Sequence, residues 1–171
     1  MKKNQIVNNN DKMSATTLDK NFFEEVALFI QSSRQHIANQ VNTTMVLTYF
    51  EIGKRIVEKE QQGAKRAEYG KYILQGLSDY LTANIGKGYS VENLKLMRKF
   101  YVIYSENQIG ESLITQFKKP ISESVIRKFN PNISWTHYIK LMRISNVAER
   151  QFYEIEIAKN NWSFREFERN K

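Results

Sequence analysis

Residues 67–105 read AEYGKYILQGLSDYLTANIGKGYSVENLKLMRKFYVIYS. Apolar side chains recur every three or four positions in both halves of this stretch, which predicts one helix over residues 67–84 and a second over residues 91–105. Gly86, in the turn between them, suits the position that follows a helix C-terminus, and Ser90 can cap the second helix. The spacing therefore predicts two helices joined by a tight turn.

Two glycines, Gly70 and Gly76, lie inside the first of these helices, where each costs roughly 1 kcal/mol relative to alanine. Glycine lets another backbone come close, because it has no side chain to obstruct the approach. We therefore expect a second chain segment to approach the helix at these positions.

A long helix is predicted upstream, over about residues 19–61. This span contains no proline, and its apolar residues step by three or four positions for about ten turns. The preceding residues 1–17 are polar and lack periodicity, which predicts a disordered tail in front of one helical domain over residues 18–171. The apolar positions of the helix comprise Phe22, Val26, Phe29, Ile37, Val41, Met45, Ile52 and Ile56.

Shorter helices are predicted downstream. Ser134, Asn146 and Ser163 each precede apolar residues at helical spacing and suit the N-cap position. Residues 106–133 contain glycine and proline, and there we expect only helical turns near 111–117 and 122–128. The last two helices are joined by a tight turn, as are the two central ones. The sequence therefore predicts an all-α fold of about six helices, in which one long N-terminal helix precedes two helix-turn-helix-like units.

The composition excludes several classes of protein. The 171 residues include 26 Lys and Arg against 18 Asp and Glu, a formal net charge of +8, and no Cys. The absence of Cys excludes a disulfide scaffold, a thiol nucleophile and a Cys-ligated zinc site. Apolar runs such as Val26–Ile30 are far shorter than the ~20 residues of a membrane span, and Met1–Gln5 does not open a secretory signal. We therefore expect a soluble, cytoplasmic protein without a membrane partner.

The sequence lacks the residue spacings that catalysis or metal binding requires. His36 and His137 are far apart in the chain, and no Glu is followed by Lys two positions later. Metal-dependent nucleases need that Glu-x-Lys pair, because the carboxylate holds the ion and the lysine steadies the attacking water. The Gly86–Gly88 turn does not match a phosphate-binding loop. We therefore expect no metal, no cofactor and no catalytic residue, and we do not expect this chain to be an enzyme.

The excess of positive charge favours a polyanionic partner. In a DNA-binding helix-turn-helix, the second helix enters the major groove with its exposed polar residues near the bases. Residues 91–105 are apolar over most of the helix circumference, so we expect a mostly buried helix with one basic ridge. The predicted DNA-binding residues are Lys87, Asn93, Lys95, Arg98 and Lys99 in the first unit and Arg165 and Arg169 in the second.

Two other interpretations fit the same residues. Every α-helical domain contains helix pairs, and basic residues solvate their outer faces, so both units can serve packing alone. The long helix can also pair with its own copy through Phe22, Val26, Phe29 and Ile37. In that case the chain would be a helical protein-interaction or dimerisation module without DNA affinity.

Three groups of residues follow one another along the chain. They are Val41–Asn42 with Tyr49–Ile56; Ala67–Gly70 with Gly86–Leu94 and Met97–Tyr101; and Ile133–Tyr138 with Arg150–Tyr153 and Asn161–Glu166. Together they resemble the N-terminal domain of the YhcG family, a bacterial family first catalogued as a domain of unknown function. The resemblance covers about residues 20–171, and Phe50 stands where the family usually has Trp.

The resemblance implies a helical DNA-binding or targeting half of a bacterial endonuclease. Full-length relatives continue into a nuclease domain of the PD-(D/E)XK class, so a missing Glu-x-Lys motif is expected here and no catalytic residue is carried over. The expected partners are double-stranded DNA, a C-terminal nuclease domain in a longer protein, and a second copy of the chain.

Overall fold

The structure, a computed structural model, describes residues 9–62, 67–105 and 129–171. Within these ranges the chain consists of helices and turns without any strand, so the predicted all-α fold is confirmed. The six helices are α1 (Asn9–Gln62), α2 (Ala67–Asn84), α3 (Val91–Ser105), α4 (Trp135–Leu141), α5 (Val147–Asn160) and α6 (Phe164–Asn170).

The helix boundaries agree with the predicted ones except at the start of the chain. The bounds of α2 and α3 are those that the sequence predicts. Helix α1 begins at Asn9 rather than near residue 19, so residues 9–17, which were predicted to be a disordered tail, are helical. Residues 1–8 and the predicted turns near 111–117 and 122–128 lie outside the described residues.

The chain divides into two compact units, Met1–Asn39 and Gln40–Lys171. In the first unit, the described side chains belong to α1 and are mostly exposed. The second unit contains the rest of α1 and the other five helices of the described ranges, and all residues of the buried core belong to it.

Phe100 lies at the centre of the larger core cluster. Its side chain is fully buried, and its ring contacts aromatic rings from α1, α3, α4 and the segment before α4. The ring centroids lie 4.9 to 5.8 Å away, which is the distance range of favourable edge-to-face and tilted aromatic pairs. Phe100, which belongs to α3, therefore links α3 to α1 and α4. The contacting residues are Phe50, Tyr104, Phe129, Trp135 and Tyr138.

A second core cluster joins α1, α2 and α3. It consists of Ile56, Leu74, Leu94 and Met97, each of them buried. Next to it, α1 and α3 come so close at Gly53 that a Cβ atom there would lie 2.1 Å from the Met97 carbonyl oxygen. Only glycine fits at this position, because the obstacle is backbone and cannot rotate away.

The expectation for the two glycines of α2 is wrong at Gly76 and only partly right at Gly70. A Cβ atom at Gly76 would meet no atom within 4 Å among the described residues. At Gly70 the nearest atom is Oε1 of the Glu60 side chain, 3.1 Å from the ideal Cβ position, rather than a backbone atom. The close backbone approach occurs at Gly53 instead.

Three of the four predicted N-cap side chains accept a cap hydrogen bond, whereas Ser134 takes the N-cap position of α4 without a side-chain cap hydrogen bond. The Ser90 side chain accepts a hydrogen bond from the Asn93 N–H, the Asn146 side chain from the Glu149 N–H, and the Ser163 side chain from the Glu166 N–H. The Glu166 carboxylate accepts in return from the Ser163 N–H at 2.7 Å, which completes a capping box. The Ser163 side chain, and after it the Ser163 backbone N–H, lowers the pKa of Glu166. Between α5 and α6, Asn161 adopts the left-handed conformation that ends a helix, with φ of 50°.

A polar network connects α3 to α5 beside the aromatic cluster. The Tyr104 hydroxyl donates a short hydrogen bond to Glu154, and the Arg150 guanidinium lies 5.7 Å from the Tyr104 ring centroid. The guanidinium also donates to the Ile144 carbonyl at 3.2 Å. Burial raises the pKa of Glu154, while the Tyr104 hydrogen bond and the Arg150 charge partly counteract this effect.

His137 is buried against the turn between α5 and α6. Its Nδ1 accepts a hydrogen bond from the Ser134 N–H at 3.1 Å, so the proton of the neutral ring lies on Nε2. Burial lowers the pKa of His137, and the nearby backbone of Ser163 and Trp162 partly counteracts this effect. The neutral ring is thus the form that the folded chain stabilises.

The contact at Gly53 predicts opposite effects for two glycine-to-alanine substitutions. Gly53→Ala should destabilise the chain by at least roughly 1–3 kcal/mol, because α1 and α3 must separate to admit the methyl group. Gly76→Ala is the matched control and should stabilise by up to roughly 1 kcal/mol, since alanine is the better helix former and the position is open. Urea unfolding followed by circular dichroism measures both. Equal stabilities of the two variants would contradict the contact.

The environment of His137 predicts a loss of stability on acidification. Its pKa is lower in the folded than in the unfolded chain, so the unfolded state binds more protons and the free energy of unfolding falls as the pH drops below about 6.5. The slope contributed by this group reaches at most about 1.4 kcal/mol per pH unit. His137→Gln should therefore flatten the decline between about pH 7 and pH 5.

Thermal unfolding at several pH values tests this prediction. Glu154, whose pKa is raised in the folded chain, contributes the opposite slope, so the comparison is made between wild type and variant rather than on the wild type alone. His36→Gln, which removes the exposed histidine of α1, is the control. The assignment fails if both variants keep the slope of the wild type.

Candidate nucleic-acid interface

The turn between α2 and α3 is held by backbone hydrogen bonds and two glycines. The N–H groups of Ile85 and Gly86 both donate to the Leu81 carbonyl, at 2.8 and 3.0 Å, which closes the end of α2. Gly86 and Gly88 have φ values of +123° and +112°, in a region that residues with side chains rarely adopt. Lys87 lies between them and is exposed at the surface of the turn.

Asn93 helps to fix this turn. Its side-chain amide donates to the Gly88 carbonyl at 2.9 Å, and its backbone N–H donates to the Ser90 hydroxyl at 3.3 Å. The bond to Gly88 uses one of the two amide N–H groups of Asn93. The structure gives Asn93 a local structural function, and its predicted base contact stays a prediction.

Helix α3 is buried on one side and basic on the other. Leu94, Met97 and Phe100 are at most 1% exposed, whereas Lys95, Arg98 and Lys99 are exposed. Lys95 forms an ion pair with Glu92 one turn earlier, with 2.8 Å between Nζ and Oε1. We call Lys87 and the three cations of α3 the basic ridge.

Arg98 differs from its neighbours because it connects two helices. Its guanidinium pairs with the carboxylate of Glu60 near the end of α1, and the Glu60 side chain is only 19% exposed. The same carboxylate lies against Gly70 of α2. Arg98 thus ties α3 to α1 in addition to contributing positive charge to the surface.

Lys87 and Lys99 form no ion pair with any residue that the structure describes. Their charges are therefore available to a ligand at no cost of breaking a described pair. Since Lys95 pairs with Glu92 and Arg98 with Glu60, it is Lys87 and Lys99 that leave the exposed surface of the turn and α3 with an excess of positive charge.

The cations predicted on α6 have a different environment. Arg165 and Arg169 are exposed, but Glu166 and Glu168 both lie between them along the helix. Glu168 pairs with Lys140 of α4 at 2.8 Å. The first set of predicted residues thus lies on the turn and α3, and the second set lies on α6. Both helices pack against α4. Only the first set carries a clear excess of positive charge.

An apolar groove that sequence reasoning did not find lies beside the turn. Its volume is about 570 Å³, and α1, α2 and the turn form its walls. Arg55 and Lys59 border it from α1, where Arg55 pairs with Glu51 at 3.1 Å. Arg55 and Lys59 are four residues apart, so the sequence predicts that they share one face of α1. The sequence does not predict that this face packs against α2. The apolar lining consists of Ile52, Ile56, Ile73, Leu77, Leu81, Ile85 and Tyr89.

The described residues contain no cluster of three or more His, Asp or Glu placed to hold a metal ion. None of the helices in the described ranges is both long enough and apolar enough to cross a membrane.

These features define an all-α domain in which two consecutive helices, α2 and α3, present a basic ridge. The family model of the DUF1016 N-terminal domain matches residues 25–171. The chain therefore belongs to this family, which confirms the resemblance to the N-terminal domain of the YhcG family.

One curated relative is similar over most of the chain. It is the protein described as "Putative nuclease YhcG" from Escherichia coli (strain K12), which is 33% identical over 153 residues. The match covers 82% of this chain and 41% of the relative, so the chain spans about two fifths of the length of that protein. No solved structure matches the chain.

Proposed function

We propose that this chain is a non-catalytic DNA-binding module that targets a nuclease to double-stranded DNA. The observation that carries the proposal is the basic ridge on the α2–turn–α3 unit, because in a DNA-binding helix-turn-helix it is the second helix that enters the major groove. A helix that is buried on one side and basic on the other can seat against phosphates without disturbing the core. Membership in a family with a relative described as a nuclease supports the same assignment.

The mechanism is neutralisation of phosphates by the ridge. Each lysine or arginine that contacts a phosphate releases condensed counterions, so affinity depends steeply on salt and hardly on sequence. Lys87 and Lys99 contribute directly. Lys95 must exchange Glu92 for a phosphate, which costs little because exposed ion pairs of this kind are worth only about 0–1 kcal/mol.

The remaining predicted residues have secondary parts in this proposal. Arg98 contributes less charge, because it is paired with Glu60. Asn93 positions the turn with one of its two amide N–H groups, and the rest of the amide can contact a base. Arg165 and Arg169 of α6 add phosphate contacts that Glu166 and Glu168 weaken. This order of expected contributions to DNA binding follows from the ion pairs and hydrogen bonds of each side chain.

Catalysis belongs, in this proposal, to residues of the longer relatives that this chain does not match. The relative described as a nuclease is more than twice as long as the matched region.

A protein-interaction module without DNA affinity is the alternative. It predicts no binding to duplex DNA even at low salt.

Removal of two ridge lysines should weaken DNA binding uniformly across sequences. With Lys95→Ala and Lys99→Ala combined, the plot of log affinity against log salt should become shallower by about two, since two phosphate contacts are lost. Fluorescence anisotropy of a labelled duplex over ~50–300 mM salt measures the slope, with single-stranded DNA as competitor.

The matched control combines Lys20→Ala and Arg34→Ala, which remove the same charge from exposed positions of α1. It should leave the slope unchanged. An equal decrease in both double variants would mean that net charge alone determines binding, and unchanged binding of the ridge variant would rule out the placement on α3.

The ion pair of Lys95 predicts that loss of Glu92 strengthens binding. Glu92→Gln removes a carboxylate from the ridge and frees Lys95, so the affinity for duplex DNA at low salt should rise about two- to fivefold, in line with the modest energy of an exposed pair. Glu68→Gln removes the corresponding first-turn carboxylate of α2 and is the control. Anisotropy titrations at one salt concentration compare the two. Equal gains in both variants would argue against a specific role of the ridge.

A further inference from the structure

The N-terminal part of α1 exposes large apolar side chains. Phenylalanines at three positions and aliphatic residues at three more lie at the surface of the first unit, where soluble proteins ordinarily place polar residues. The exposed fractions are 60% for Phe22, 64% for Phe23, 39% for Val26, 71% for Phe29, 45% for Ile30 and 63% for Ile37.

The spacing of these residues is that of helices that pair side by side. Phe23, Val26, Ile30, Ser33 and Ile37 follow one another at alternating intervals of three and four residues, the a and d positions of a heptad. At 100° per residue, Phe22 and Phe29 flank one side of this line. We call residues 22, 23, 26, 29, 30, 33 and 37 the apolar stripe.

The stripe is larger than a solvated surface normally carries. Its three phenylalanines, about two-thirds exposed, present roughly 300–500 Å² at 150–250 Å² per aromatic side chain. That area alone equals the largest apolar patch of a typical monomer, roughly 300–600 Å². With the three aliphatic residues, the stripe approaches the ~800 Å² that each partner buries in a specific interface.

A second copy of the same helix satisfies these observations best. The apolar spacing fits another helix, and a two-fold arrangement buries both stripes at once. The exposed area of the stripe is close to what one partner buries in a specific interface, so the pair needs no further chain.

We propose that the apolar stripe of α1 binds the same stripe of a second chain, forming a homodimer. Because the stripe and the basic ridge lie on different residues, this inference does not rest on the proposed DNA binding, and its test contains no DNA.

Light scattering of the full chain, measured over ~1–100 µM, tests the dimer. The weight-average mass should rise with concentration from that of one chain to that of two. Ile30→Ser should raise the dissociation constant at least about tenfold, because each dimer loses two buried isoleucine side chains.

Leu28→Ser is the matched control. Leu28 is 65% exposed on the same helix, but it lies about 180° from the centre of the stripe at 100° per residue. It should change the dissociation constant less than about twofold. Both substitutions replace exposed side chains, so circular dichroism should report an unchanged fold.

Three results would overturn the dimer: a wild-type mass of one chain at ~100 µM, equal effects of Ile30→Ser and Leu28→Ser, or masses above two chains.

Discussion

The arrangement of the second unit depends on the close passage of α1 and α3 at Gly53. The missing side chain at this position lets the backbone of α1 approach the Met97 carbonyl. This approach brings Phe50 of α1 into contact with Phe100 of α3, the centre of the aromatic cluster. A methyl group at Gly53 would separate the two helices along their contact, and the cost would extend to the rings on one side and to the cluster around Ile56 on the other.

The same contact determines what α3 can expose. With Leu94, Met97 and Phe100 buried, only one narrow side of the helix remains for a ligand, and that side carries the basic ridge. The ion pair between Arg98 and Glu60 then fixes the ridge to α1 near the Gly53 crossing. Two neighbouring residues of α3 thus have different environments. Arg98 forms a structural ion pair, whereas the exposed Lys99 has no described acidic partner. The charge excess of the ridge therefore comes from Lys87 and Lys99, which form no ion pair with the described residues.

Local signals in the sequence predicted the helices, whereas contacts between distant residues were not predictable. The caps at Ser90, Asn146 and Ser163 act within one turn, so spacing alone identified them. The Arg98–Glu60 pair joins residues 38 positions apart, and no periodicity indicates such a contact. The same reason explains the error at Gly76, because a glycine inside a helix does not reveal whether a neighbour approaches it. The start of α1 was placed too late because residues 9–17 lack the apolar periodicity on which the prediction relied.

The two proposed binding surfaces, the basic ridge and the apolar stripe, should respond to salt in opposite directions. Phosphate binding by exposed lysines weakens as salt rises, because the release of condensed counterions gains less entropy when the surrounding salt is more concentrated. Association through exposed phenylalanine and isoleucine does not weaken in this way, and salts such as sulfate strengthen it because they are excluded from apolar surface. A chain that uses both surfaces should therefore remain paired under conditions in which it has left the duplex. Pairing should also double the number of ridges per particle, which raises the apparent affinity for long duplexes only if both ridges reach the same DNA.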